Sequence, residues 1–140
     1  CTSSLIRITI DAQTSCTFST SGMTANKWYH IAVTYDSTSA RLYLDGEIQT
    51  TTAYTVPTTT PSTARIGGYE GAAALMSGNM SNVGFWARAI TVDEIQAAMY
   101  NTLSRLTTAE KIFLVGWWPL GNFSGTDIPD SHGSNDGTIT

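Results

Sequence analysis

Charged side chains are scarce in this sequence, at 13% of its 140 residues, whereas an average globular domain has roughly 25%. The seven Lys and Arg residues are scattered and the net charge is −4. This argues against nucleic-acid binding, because phosphates are bound by clustered basic side chains. No apolar run reaches the length of about 18 residues that a transmembrane helix requires. The sequence therefore predicts a protein with no nucleic-acid partner and no transmembrane segment.

Residue types that carry catalysis are also few. The only histidines are His30 and His132, and their spacing to Ser, Cys and Asp matches neither a catalytic triad nor a zinc site. Glycosidases need two carboxylates facing one another about 5–9 Å apart, and no predicted strand carries a Glu-x-Asp pair. We therefore predict that the protein is not an enzyme.

The two cysteines are Cys1 and Cys16. A disulfide between them would close a loop of about 15 residues and contribute about 3 kcal/mol in the chain-entropy model. An oxidising compartment would favour this disulfide. Two independent thiols, or a Cys1 that pairs with a residue upstream of this sequence, explain the same pattern, so the three interpretations stay open.

Serine and threonine take the place of the missing charge, and the β-branched side chain of Thr packs well on a pleated sheet. Asp45-Gly46, between two apolar alternations, predicts a tight hairpin because a type I′ turn needs positive φ. Many short strands separated by turn signals predict an all-β, antiparallel jelly-roll sandwich. The predicted strands cover residues 5–10, 16–20, 27–35, 41–44, 47–51, 65–68, 80–87 and 112–118.

Two capping boxes, Thr91 with Glu94 and Thr107 with Glu110, predict one or two short helices near residues 92–100 and 108–112. The tryptophans at 28, 86, 117 and 118 are expected to serve the core, above all Trp86 and one of Trp117 and Trp118. Neighbouring residues of a strand face opposite ways, so one of the last two points outward, toward a partner or a ligand.

Two segments carry a family resemblance: KWYHIAVTYD at 27–36 and RLYLDGE at 41–47. Together with RIGG at 65–68 and the run from Gly78 to Ile95, they closely resemble the central and closing parts of laminin-G-like modules of the concanavalin A-like superfamily. The resemblance implies a jelly-roll sandwich. One departure is Ser81-Asn82, which stands where the family usually has an acidic pair, so any metal contact of that pair is in doubt.

Residues 114–138 resemble the opening of the same module, although they follow its end. The sequence therefore predicts two units: residues 1–106, the C-terminal portion of a laminin-G-like sandwich, and residues 107–140, a connector and the opening strand of a second, permuted or strand-shared module. A slice of a tandem array, a circular permutant and strand donation between subunits all explain this order. A half sandwich would expose an apolar face and open edges.

The tail contains a cluster of oxygen donors: Asp127, Asp130, Asn135 and Asp136. Such donors suit Ca²⁺, and some members of the resembled superfamily hold structural calcium in such loops. Asx-turns without a metal explain the same residues. For carbohydrate binding, the candidates are Tyr54, Tyr69 and Glu70, with the loop around residues 67–74.

The leading hypothesis is a non-enzymatic structural or adhesive module of an extracellular assembly, such as a virion appendage, a filament or a cell-surface protein. Neighbouring modules or other copies of the chain are its expected partners, and strands from a neighbour would complete its sandwich. The alternative is a lectin-like, carbohydrate-binding module assisted by calcium.

Overall fold

The computed structural model describes residues 5–10, 14–19, 23–53, 65–68, 76–121 and 124–139, with the backbone alone described for 5–10 and 14–19. In chain order the elements are β1 (Leu5–Ile10), β2 (Thr14–Ser19), β3 (Ile31–Tyr35), β4 (Ser39–Leu44), β5 (Glu47–Ala53), β6 (Val83–Trp86), α1 (Val92–Tyr100), β7 (Leu114–Trp118), β8 (Asp127–Ile128) and β9 (Gly137–Thr138). A 3₁₀ turn, Leu103–Arg105, lies between α1 and β7. No helix in the described ranges is long and apolar enough to cross a membrane.

Every strand pairing is antiparallel. The strands form the ribbon β1–β2, the three-stranded sheet β3–β4–β5, the ribbon β6–β7 and the short pair β8–β9. A register shift interrupts the β6–β7 pairing between Phe85 and Trp86. The antiparallel, all-β expectation is confirmed, with α1 as the α-helix of the described residues.

The β4–β5 hairpin forms at the predicted Asp45-Gly46 turn. Both residues have positive φ, 50° and 83°, and Leu44 lies opposite Glu47, as a two-residue type I′ turn requires. The turn is tied to the chain before β3, because the backbone N–H of Asp45 donates to the His30 carbonyl and the backbone N–H of His30 donates to Asp45 Oδ1, each at 2.8 Å. The Asp45-Gly46 turn and its two bonds to His30 therefore fix the register at this end of the sheet.

A first buried region centres on β4. Leu42 is 1% exposed and Ala40 and Tyr43 are also buried, because β4 lies between two strands and has side chains on both faces of the sheet. Helix α1 contributes the fully buried Ile95. Its Gln96 side chain lies close to the Gly46 backbone, where an added Cβ would sit 3.1 Å from Gln96 Cγ. The helix therefore packs beside the hairpin turn.

The first capping box is confirmed. The backbone N–H of Glu94 donates to Thr91 Oγ1 and the backbone N–H of Thr91 donates to Glu94 Oε2, so α1 begins at the predicted place. Arg88 also donates to the Glu94 carboxylate, at 2.7 and 2.5 Å. This ion pair anchors the start of α1 to the chain that leaves β6.

A second buried region joins β6 and β7. Leu106, Leu114 and Trp117 are buried together, and Trp86 and Leu103 pack against them. The rings of Trp86 and Trp117 meet edge to face, with centroids 6.1 Å apart and planes at 88°, a favoured aromatic geometry. A two-stranded ribbon alone has marginal stability in water, so this cluster is what stabilises β6–β7.

Four expectations need correction. Strand β3 begins at Ile31, and Trp28 lies before it with 65% of its surface exposed. The second capping box makes its predicted hydrogen bonds but closes turns rather than a helix over 108–112, because Phe113 adopts φ 61° and reverses the chain. Residues 65–68 are mostly a bend. The tail contains the short strands β8 and β9. Its local composition does not indicate them, because each two-residue strand is defined by its pairing with the other.

Candidate functional site

The tail loop is organised around the Asp130 carboxylate, which is 8% exposed. Its Oδ1 accepts hydrogen bonds from the backbone N–H groups of Trp117, at 2.8 Å, and His132, at 2.9 Å. Its Oδ2 accepts from the backbone N–H of Asn135 at 3.2 Å. The Ser131 N–H returns to the Trp117 carbonyl at 2.8 Å. One carboxylate therefore fastens residues 130–135 to the middle of β7, and we name this arrangement the Asp130 latch.

The latch also changes the acidity of its carboxylate. Burial acts to raise the pKa of Asp130, but the backbone N–H groups that point at its oxygens outweigh burial and hold the pKa well below its ordinary value of 3.8. The donors belong to Trp117, His132, Gly133 and Asn135. Hydrogen bonds to the charged form stabilise it, so Asp130 is ionised throughout the neutral and mildly acidic range.

The predicted calcium ligands have other bonds in the structure. Asp136 Oδ1 accepts from the backbone N–H of Asp130, and Asn135 Nδ2 donates to the Val115 carbonyl. Asp127 is an exposed residue of β8, opposite Thr138. In the described part of the chain, no group of three or more His, Cys, Asp or Glu side chains is placed to hold a metal ion. Calcium binding stays a prediction.

An open cleft of about 550 Å³ lies beside the latch, between the tail loop, the β6–β7 ribbon and the connector that precedes β7. Its volume is within the roughly 300–1,000 Å³ of ordinary ligand pockets. Its lining is mostly apolar and also includes hydroxyl, amide and basic side chains. The lining residues are Asn82, Thr102, Leu103, Ser104, Lys111, Trp117, Pro119, Ser131 and His132.

One wall of the cleft comes from the latch and from the residues before β6. Ser131 and His132 follow Asp130 directly; the backbone N–H of Ser131 donates to the Trp117 carbonyl of β7, and that of His132 donates to Asp130 Oδ1 within the loop. Asn82, just before β6, adopts φ 52°. Its backbone N–H donates to the Pro119 carbonyl at 3.1 Å, a carbonyl that also accepts from Ser81 Oγ at 3.2 Å.

The other wall comes from the connector. Thr102 and Ser104 are linked through their hydroxyl oxygens at 3.0 Å. Lys111 lies in the turn closed by the second capping box, where its backbone N–H donates to the Thr107 carbonyl. The two walls meet over Trp117, which belongs to the buried cluster. Each wall is held by backbone hydrogen bonds.

One tryptophan of the Trp117–Trp118 pair was predicted to point outward, and Trp118 instead makes a hydrogen bond within the chain. Trp117 is 2% exposed and faces the cluster, whereas the ring of Trp118 lies over Gly116 and its Nε1 donates to the Asn135 carbonyl at 2.9 Å. The opposite orientation of the two neighbours is confirmed. The ring that faces away from the cluster supports the tail loop.

Other predicted site residues fall where side chains are not described. Tyr54, Tyr69, Glu70 and Cys1 lie outside the described residues, and Cys16 is placed by its backbone, opposite Ile8 in β1–β2. The carbohydrate candidates and the disulfide therefore stay predictions. His30 is held by its backbone at the hairpin turn, and burial lowers the pKa of its imidazole.

Sequence reasoning missed the cleft residues of the connector. Thr102, Ser104 and Lys111 belong to no motif, and the single local signal near them is the second capping box, which places Lys111 in a defined turn. They become neighbours of Ser131 through the pairing of β7 with β6. That pairing joins residues about thirty positions apart, a distance over which local patterns carry no information.

The comparisons with known proteins settle the family. The model of the laminin-G type described as "Concanavalin A-like lectin/glucanases superfamily" matches residues 3–96, well over half of the chain. This chain belongs to that superfamily. Its sheets are the antiparallel sheets of a jelly-roll β-sandwich, as the resemblance implied.

Among solved structures, an S-layer domain-containing protein from Clostridium thermocellum, residues 221–444, is similar to this chain. The match has 24% sequence identity and a TM-score of 0.49, and it covers 59% of this chain and 44% of that one. The chain thus spans less than half of the length of that structure. No curated protein matches the sequence.

Within the superfamily, the β6–β7 pair is the informative feature of this chain. Residues 114–120 resemble the opening of a laminin-G-like module, and residues 78–95 resemble its close, yet β7 pairs with β6 from Val83 opposite Trp118 onward. The pairing crosses the predicted boundary at residue 106, which stays a prediction. Ser81 and Asn82, the departure from the family's acidic pair, bond to Pro119 just after β7.

Proposed function

We propose that the chain is a non-enzymatic structural or adhesive module of an extracellular surface assembly, and that strands of a neighbouring module or subunit complete its sandwich. The observation that carries this proposal is the β6–β7 ribbon. It pairs an opening-type strand with a closing-type strand, and its outer edges have no further strand among the described residues.

The outer edge of β6 lacks the features that block further pairing, whereas the tail loop covers the outer edge of β7 through its bonds to Trp117 and to the Val115 carbonyl. Solitary sheet edges are normally protected by charged residues, proline or bulges. Strand β6 reads VGFW, with neither a charge nor a proline, so the irregularity at Phe85 and Trp86 is the protection that remains at its edge. Such edges favour the addition of another strand.

Large apolar side chains also lie uncovered beside the ribbon. Phe85 is 59% exposed and Phe113 is 67% exposed, although their neighbours Trp86 and Leu114 pack in the cluster. Trp28, which lies before β3, is also an exposed large apolar side chain. Phe85 and Phe113 beside the open β6 edge are side chains that an added strand would cover, which supports completion by a neighbour.

Light scattering after size-exclusion chromatography, over a series of protein concentrations, tests this proposal. We expect the chain to self-associate. Phe85→Lys, which places a charge on the uncovered ribbon, should shift it toward monomer, whereas the matched control Tyr100→Lys, at a residue 77% exposed at the end of α1, should associate like the parent. A monomer that unfolds cooperatively at every concentration would contradict the proposal.

A second candidate is calcium-assisted carbohydrate binding, favoured by the cleft beside the tail loop that carries the predicted calcium ligands. A lining that combines hydroxyl and amide side chains with apolar ones suits a sugar ring, which has polar edges and apolar faces. A glycan array with Ca²⁺ and with a chelator tests this candidate. Binding that chelation weakens supports it, and no binding in either condition removes it.

A further inference from the structure

We propose that the Asp130 latch blocks a second strand-docking edge, the outer edge of β7, and that this edge takes β6 of a second copy of the chain when the latch is displaced. This inference rests on the proposed function, assembly through added strands, and adds which edges meet and what keeps them apart. Strand β7 would then pair with β6 of its own chain on one side and with β6 of the second copy on the other.

The latch makes the hydrogen bonds that a neighbouring strand would make. The Trp117 N–H donates to Asp130 Oδ1 at 2.8 Å, and the Trp117 carbonyl accepts from the Ser131 N–H at 2.8 Å. Two residues earlier in β7, the Val115 carbonyl accepts from Asn135 Nδ2 at 2.9 Å. Alternate residues of a strand direct their backbone groups to the same edge. Three bonds of the strand type therefore close the outer edge of β7.

The latch occupies this edge without extending the sheet. Residues 131–134 form a bend and not a strand, so they offer no regular row of backbone groups to a further chain. Natural proteins protect open sheet edges by covering them with a loop in this way. The β7 edge is thus competent for pairing and is blocked by residues of its own chain.

Strand β6 has matching backbone groups at its open edge. Opposite residues of an antiparallel pair either exchange both hydrogen bonds or both face away from each other. Gly84 lies opposite Trp117, whose backbone groups face the latch. Trp86 lies opposite Leu114, whose N–H donates to the Lys111 carbonyl. Gly84 and Trp86 therefore face the outer edge of β6, beyond which no further strand lies among the described residues.

The two edges match in spacing, register and charge. Each presents backbone groups from two residues that are two positions apart. An antiparallel approach places Gly84 of the second copy opposite Trp117, and Trp86 of that copy then lies opposite Val115. Gly84 is already opposite Trp117 within the chain, so the added strand repeats the existing register and turns the same face toward the buried cluster. Neither strand has a charged residue, so no like charges come into opposition.

Pairing of this kind has no natural end. An interface between two different patches, β6 of one copy and β7 of the next, is head-to-tail and forms open chains unless a rotation closes it. Because the added strand repeats the orientation of the β6 strand within the chain, each new copy again presents an open β6 edge. The latch therefore limits how far the protein assembles.

The test measures mean mass by light scattering after size-exclusion chromatography, over a series of concentrations of the full chain. Asp130→Ala removes the central acceptor of the latch, and Asn135→Ala removes the bond to the Val115 carbonyl. We expect the mean mass of Asp130→Ala to reach at least about twice that of the parent at the highest concentration and to keep rising, because the assembly is open-ended. Asn135→Ala should show a smaller rise. Adding Phe85→Lys to Asp130→Ala should abolish the growth, since it places a charge on the strand that docks.

Two control variants separate loss of the latch from other effects. Asp127→Ala removes the same charge from an exposed position of the tail and should associate like the parent. Leu42→Ala creates a cavity in the first buried region, where Leu42 is 1% exposed, so it destabilises the fold with the latch intact and should not grow. Circular dichroism confirms that each variant is folded at the start.

The outcomes judge the inference separately from the function on which it rests. A parent that associates, together with an Asp130→Ala variant that associates no further, would overturn the inference alone. Growth of Asp130→Ala that Phe85→Lys leaves unchanged, or that Leu42→Ala shows equally, would also overturn it, because the cause would then be exposure of unfolded chain. A parent that stays monomeric at every concentration contradicts the proposed function itself.

Discussion

Removing the Asp130 carboxylate should destabilise the protein more than any other single change in the tail. Asp130→Ala deletes the acceptor of backbone bonds from Trp117, His132 and Asn135, at 2.8, 2.9 and 3.2 Å. Each hydrogen bond to a charged group contributes about 1.5–3 kcal/mol. The contributions are not additive, because burying the carboxylate has its own cost. We expect a loss of about 3 kcal/mol, since uncompensated donors remain against β7.

Two further variants should lose less stability than Asp130→Ala. Asp130→Asn keeps an acceptor for Trp117 and His132 but turns an amide N–H₂ toward the donors of Asn135, so it should cost about 1–2 kcal/mol. Asp127→Asn changes an exposed carboxylate of the same tail and should stay within about 0.5 kcal/mol of the parent.

Urea and thermal unfolding followed by circular dichroism measure these differences. For a chain of this size, about 3 kcal/mol corresponds to a fall in Tm of about 10 °C. The pH dependence adds an independent signature. Because the folded pKa of Asp130 lies below its ordinary value of 3.8, its stabilisation is complete above that value and is lost as the pH falls below it. The difference between the parent and Asp130→Asn should therefore shrink in acid. If Asp130→Ala unfolded like Asp127→Asn at neutral pH, the latch would not stabilise the fold.

Three more outcomes follow from the described contacts. Glu94→Gln should reduce the loss of stability that the protein shows in acid. Hydrogen bonding from Arg88 first, and from the helix cap, lowers the pKa of Glu94 from 4.5 to about 2. The stabilisation by this carboxylate is therefore present above pH 4.5 and is lost between about pH 4.5 and 2, as acid titrations of both proteins would show. Gly84→Ala should destabilise by about 1–3 kcal/mol, because its Cβ would lie 2.6 Å from one Trp ring and 2.8 Å from another, whereas Gly121→Ala, with nothing within 4 Å, should be neutral; equal melts would contradict the packing of the ribbon. Trp118→Phe should cost about 1 kcal/mol in urea unfolding, because it keeps a ring over the ribbon but loses the 2.9 Å bond from its indole to the tail loop; an unchanged midpoint would mean that this bond contributes nothing.

Local features were predictable from the sequence because their causes lie within a few residues. The Asp45-Gly46 turn needs positive φ at two adjacent positions, and the capping box of α1 needs Thr91 and Glu94 three residues apart, so each is visible in a short window. The second capping box was equally visible and made its bonds. It closes only turns, because Phe113 has a positive φ and the next residue, Leu114, begins β7.

The candidate site was less predictable for the same physical reason. The tail was recognised as rich in Asp and Asn, and a metal loop and Asx-turns both explained it. What Asp130 contacts depends on β7, thirteen residues earlier, which supplies the Trp117 N–H. The cleft depends on a still longer separation, since its connector wall and its latch wall meet across the β6–β7 pair.

By itself, the sequence determined the superfamily, the antiparallel β class, the hairpin turn and the start of the helix, since these follow from residue types at short, fixed spacings. The tertiary structure alone decided that β7 pairs with β6 within this chain, that Trp117 is buried while Phe85 and Trp28 are exposed, and that Asp130 joins its loop to a strand. Burial and long-range pairing depend on which surfaces come into contact. The alternation of side chains along a strand does not reveal this, because it is the same whichever surface covers the strand.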